Sequence, residues 1–266
     1  MIQLTIDSPS PLDPFFAQYW RRNPVSATFI GLHGYDSVLP DWSASGLAAA
    51  AREMRELLES LRESSPASGW ETLDTDLARG HLEIRLAEDA GPHGIRGNPA
   101  LWTGEAVFSL VSLMLRRFAA ADSRAEHLAR RLNAIPGFLA TAESTLTGAT
   151  TPAAWTARAR RECEGAKFLL EDIALWMTSE SVSPDVAEQV SAAIPAATSA
   201  FAELAAWLAK RPDASEHSLA CGEVFFDLVL TRGHQCTRSR AELLADAEAQ
   251  FAEAKATRRG GARRVR

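Results

Sequence analysis

From about residue 12 onward, apolar residues recur at intervals of three and four, and the strict alternation of a half-buried strand is almost absent. Stripes of this kind leave water only by packing helix against helix. The expected fold class is therefore all-α, an irregular helical bundle of roughly ten helices. Leu47, Met54, Leu57, Leu58 and Leu61 form one stripe and Trp70, Leu73, Leu77 and Ile84 the next. The breaker-rich run 64–69 lies between them, which predicts a helical hairpin. Glycines at 91, 94 and 97 predict a loop, after which Asn98-Pro99 opens a helix carrying Val107, Leu110, Leu113 and Met114 on to Phe118. Pro136 falls within the stripe Leu128, Leu132, Ile135, Leu139 and predicts a kink or restart, because proline has no N–H to donate. Pro195 predicts a second kink. Thr151-Pro152 and Ser183-Pro184 read as N-caps with first-turn prolines, and Ser239 with Glu242 as a capping box for the last helix.

Hydrophobic residues make up 46% and charged ones 23% of the 266 residues, enough to build a sizeable core. No repeat or low-complexity linker divides the chain, so a single helical domain over 1–254 is expected, followed by a basic flexible tail at 255–266. That tail holds one Lys and five Arg without an acid, so residues 1–254 carry −12 against −6 for the whole. An acidic body repels phosphate, which argues against nucleic-acid and membrane partners. Three scattered cysteines do not form a secreted disulfide framework, and the first residues lack a basic segment followed by an apolar run. A cytoplasmic location is expected.

The six histidines lie at least twelve residues apart and none is followed by Glu, so no HExxH-type zinc motif exists. His217, Cys221, His234 and Cys236 form the one local cluster with ligand chemistry, but an H-x-C pair is not a usual zinc knuckle. No cofactor is predicted for this chain. Cys163 sits between Glu162 and Glu164 and reads as an ordinary helix cysteine. The segment Gly31-Leu32-His33-Gly34-Tyr35-Asp36, with Leu39-Pro40-Asp41-Trp42-Ser43, looks shaped for a specific contact. His33, Tyr35, Asp36 and Trp42, with His81, are the candidate binding residues of an interhelical pocket. The alternative is that His33 and Tyr35 tie the turn to neighbouring helices by buried hydrogen bonds.

Four motifs in order carry a resemblance: Asn23-Pro24-Val25-Ser26-Ala27-Thr28-Phe29-Ile30-Gly31-Leu32-His33-Gly34-Tyr35-Asp36 with Leu39-Pro40-Asp41-Trp42-Ser43; Asn98-Pro99; Arg131-Leu132-Asn133-Ala134-Ile135-Pro136; and Gly222-Glu223-Val224-Phe225-Phe226 with the capped helix at Ser239. Together they resemble the N-terminal half of the bacterial domain of unknown function 885 family. Its members are usually about twice this length, helical, and look like zinc metallopeptidases. The zinc motif of H-E-x-x-P-G-H type belongs to the other half, so zinc is implied for the longer proteins and no catalytic residue carries over. The resemblance implies a helical scaffold, not catalytic by itself, that binds a peptide or partner chain. That chain is either another copy or a complementary C-terminal half, and this one is either a split product or a stand-alone descendant. An enzyme or small-molecule binder built around His33, Tyr35 and Asp36 is the alternative.

Overall fold

A computed structural model describes residues 10–64, 69–146, 151–214 and 219–263, with side chains as far as Thr257. The described residues contain ten α-helices: α1 (Asp13–Arg22), α2 (Pro24–Ile30), α3 (Ala44–Glu63), α4 (Gly69–Ala90), α5 (Pro99–Met114), α6 (Ala121–Thr145), α7 (Ala153–Ser179), α8 (Pro184–Leu208), α9 (Glu223–Leu228) and α10 (Arg240–Arg263). The only strands among them are β1 (Thr151–Pro152) and β2 (Asp213–Ala214), paired in parallel with Thr151 opposite Asp213. The fold is all-α, as the apolar periodicity dictates. The chain divides into two compact units at residue 220.

The first unit is built around α5–α8, with α6 packed most extensively on α8 and α5 on α7. Trp102, Leu110, Leu113, Leu128, Leu132, Ile135, Leu139, Ile173, Val190, Phe201 and Leu204 fill its main core. A smaller core joins α1, α3 and α4 through Phe15, Met54, Leu58, Leu61, Ala78 and Leu82. Each such side chain removed from water stabilises the fold by about 1.5–3 kcal/mol. Trp102 is fully enclosed and its indole N–H donates to the Ile95 carbonyl at 2.8 Å, so its one polar atom is satisfied.

Local signals set most boundaries. Asn98 accepts from the Ala100 N–H and Ser43 from the Gly46 N–H, each at 3.0 Å, capping α5 and α3. Gly31 adopts φ +100° and closes α2 with an αL cap. Several expectations are corrected. Helix α6 continues through Pro136 without a restart, and α8 is likewise continuous through Pro195. Helix α5 stops at Met114, before Phe118. On α4 the inward face carries Thr75, Ala78 and Leu82, whereas Trp70, Leu73 and Leu77 are exposed. Pro152, not Thr151, occupies the N-cap of α7, and the Ser183 hydroxyl makes no capping bond at α8.

The second unit holds α9, a π-helical turn (Val229–Gly233) and α10. Its capping box forms as predicted: the Ser239 N–H donates to Glu242 Oε2 at 2.7 Å and the Glu242 N–H to Ser239 Oγ at 3.3 Å. Arg240 bridges Glu223 and Asp227. Helix α10 extends past Lys255 to Arg263.

Candidate functional site

Helix α6 places Arg131 on its inner face, one turn beyond Leu128, and the side chain is fully buried. A buried guanidinium needs its donors met; four bonds satisfy Nη1 and Nη2, while Nε has no partner among the described residues. Nη1 donates to the Ser109 carbonyl at 2.6 Å and to Ser112 Oγ at 3.0 Å, both on α5. Nη2 donates to Thr28 Oγ1 on α2 at 2.7 Å and to the Tyr35 carbonyl at 3.3 Å. Thr28 Oγ1 donates in turn to Asp36 Oδ1 at 2.6 Å, and Asp36 Oδ2 meets His33 Nδ1 at 3.2 Å. The His33 ring stacks on Phe118, centroids 4.0 Å apart. Burial pulls the Arg131 pKa down to about 10 against the opposing pull of Asp36 and Glu105, so it remains a cation at neutral pH.

Glu105 lies on the same face of α5, one turn before Ser109. Its carboxyl has no hydrogen-bond partner among the described residues. Desolvation raises its pKa to about 7, although Arg131 opposes the shift. The cluster thus combines a fixed buried cation with a carboxyl able to gain or lose a proton near neutrality. At its edge, Ser37 Oγ contacts His127 Nδ1 at 2.7 Å and accepts from Arg130 Nη1 at 3.1 Å. Burial lowers the His127 pKa, so the ring is neutral at pH 7.

Of the candidate residues read from the sequence, His33, Tyr35 and Asp36 come together here, with Tyr35 contributing its backbone carbonyl. Trp42 packs elsewhere, edge-to-face on Trp102 at 5.1 Å and against Phe138. His81 is separate again, against Phe15 and Tyr19, and burial with Arg85 and Arg22 nearby lowers its pKa to about 4. The set is therefore three sites and not one pocket. Arg131, Glu105, Ser109 and Ser112 were missed. In the sequence Arg131 is visible only as one of two arginines, with Arg124, at positions on the apolar face of α6.

Among the described residues no group of three or more His, Cys, Asp or Glu is placed to hold a metal. His217 lies outside the described residues. The Cys221 and Cys236 thiols approach the Gly222 and Arg238 carbonyls instead. Cys163 is buried, and desolvation with Glu162 and Glu164 pushes its pKa to about 12, which makes it unreactive.

Three of the four sequence motifs therefore converge on one residue: Arg131 ties the α2 run and its loop to the helix opened by Asn98-Pro99. A family profile described as "Bacterial protein of unknown function (DUF885)" matches residues 24–266. The chain belongs to this family. No curated protein matches it. This DUF885 member shares its fold with a "putative lipoprotein of unknown function" from Shewanella oneidensis, with a TM-score of 0.79 at 17% identity over 92% of the chain. The match covers 46% of that protein, so the chain spans about half its length. No helix among the described residues of this DUF885 chain is long and apolar enough to cross a membrane.

Proposed function

We propose that the chain is a helical half-scaffold, not catalytic by itself, whose second unit docks on another polypeptide. That polypeptide corresponds to the part of the longer relative that the chain does not match, or is a second copy. The observation that supports this is the second unit itself: none of its described residues is buried, yet Val224, Phe226, Leu244 and Phe251 lie open to solvent. Helices in proteins owe most of their stability to packing of an apolar face, and the six-residue α9 gains least from propensity alone, so the open apolar residues of α9 and α10 call for a surface to cover them. The Arg131 cluster supports a scaffold role too, since four of the five guanidinium donors hold α2, its loop and α5 together and none is offered outward. By family resemblance the peptidase chemistry and its zinc belong to the counterpart.

Size-exclusion chromatography with light scattering, coupled to amide hydrogen exchange, tests the docking. Amides of α10 are expected to exchange far faster than those of α6 in the monomer and to become protected on association. A monomer with α10 as slow as α6 would sink the proposal. Zinc-dependent cleavage of a peptide library by the purified chain, abolished by a chelator, would refute the non-catalytic part.

A further inference from the structure

Helices α1 and α3 face each other with a hollow between them. Gln18, Arg21 and Arg22 line it from α1 at positions i, i+3 and i+4, and Gly46, Ala50 and Glu53 from α3. The hollow exists because α3 presents glycine and alanine along this face. Pro40, Asp41 and Trp42 form the remaining wall. Its volume is about 200 Å³, below the roughly 300–1,000 Å³ of pockets for drug-sized ligands.

Gln18 points to an occupant. It is only 4% exposed and lines the hollow, and its side-chain amide makes no hydrogen bond with any described residue. A buried amide without partners costs free energy that a ligand, or water, must restore. The charges around it are divided between the walls. Arg21 and Arg22 stand on α1, where Arg22 pairs with Asp89 and keeps Nε and Nη1 without partners among the described residues. Asp41 stands opposite with no ionic partner among the described residues, accepting only the Ser43 N–H at 3.0 Å. Glu53 joins Arg21 at the exposed rim. Asp41 is seated against the backbone of Gly46, where a Cβ would lie 2.3 Å from its Cγ.

We propose that this hollow binds a small zwitterion of the α-amino-acid class. The ligand carboxylate meets the Gln18 amide on the arginine side, its ammonium meets Asp41, and its side chain lies along Trp42, Leu47 and Ala50. Both ligand charges are used, because Asp41 has no ionic partner among the described residues and would hold the ammonium, while the Gln18 amide has no acceptor there and would hold the carboxylate beside the two paired arginines.

Calorimetric titration of the full chain with glycine, L-leucine, L-phenylalanine and L-glutamine tests this, with N-acetyl-L-leucine and L-leucinamide as single-charge controls. Saturable binding of L-leucine is expected, with each blocked form about tenfold weaker or more, the effect of one charge-assisted hydrogen bond. Gln18→Leu is expected to weaken binding by about tenfold without lowering Tm, because the amide it removes has no protein partner. Gly46→Ala, whose Cβ would displace the Asp41 carboxylate, is expected to abolish discrimination against N-acetyl-L-leucine, which lacks the ammonium, while L-leucinamide, which lacks the carboxylate, stays discriminated. The proposal fails if none of the four amino acids binds at millimolar concentration, or if the blocked forms bind as well as L-leucine. It fails equally if Gln18→Leu binds like the parent, or if leucyl-glycine is preferred over L-leucine, which would assign the hollow to a peptide chain.

Discussion

Replacing Glu105 by Gln should stabilise the protein, although it removes one of the two carboxylates that attract the buried Arg131. Desolvation moves the Glu105 pKa from 4.5 to about 7, with the attraction of Arg131 already included. A displacement of that size corresponds to at most about 3 kcal/mol against the charged form. The folded state holds its proton more tightly than the unfolded chain does. Stability is therefore unaffected by this group below pH 4.5, falls as pH rises from 4.5 to 7, and stays lower above. Glu105→Gln is expected to match the parent at pH 4 and to exceed it by about 2–3 kcal/mol at pH 8. Urea unfolding at pH 4, 6 and 8 measures the difference directly. A variant less stable than the parent at pH 8 would refute the reasoning, since the Arg131 attraction would then outweigh desolvation.

His81 makes the opposite contribution: its pKa is lowered from 6.5 to about 4 by burial, so the parent should lose stability as pH falls through that window. His81→Phe should not, as the same unfolding series would show. Arg131→Leu should cost about 3–5 kcal/mol, the effect of stranding its buried partners. Arg131→Lys should recover only part of this in urea unfolding, because an ammonium cannot span both α5 and α2. Native protein should show rapid thiol modification at Cys221 and none at Cys163 until it is unfolded, as counted by a chromogenic disulfide reagent. Leu132→Ala, at the centre of the main core, should cost about 2–5 kcal/mol in the same unfolding assay.

How far the candidate site was legible depended on the range of its interactions. His33 and Asp36 are three residues apart, and their contact follows from a tight turn that Gly31 and Gly34 announce. Arg131 and Thr28 are separated by 103 positions, and nothing local in α6 states that this buried cation will find a hydroxyl, two carbonyls and a second hydroxyl on three other segments. Glu105 reads as one more carboxylate on a helix until burial is known. The exposed stripe of α4 misled for a related reason: Trp70, Leu73 and Leu77 have helical spacing, and spacing does not say which stripe finds a neighbour.

The sequence alone determined that the chain is helical, where α5 and α10 begin, and to which family it belongs. Those properties rest on periodicity, capping and short motifs, which act within a turn or two of the backbone. Tertiary structure alone decided that His33, Asp36 and Arg131 meet while Trp42 and His81 do not, that Pro136 and Pro195 lie within continuous helices, and that Glu105 titrates near pH 7. Each of these depends on what covers a side chain, and burial is a property of the packed fold.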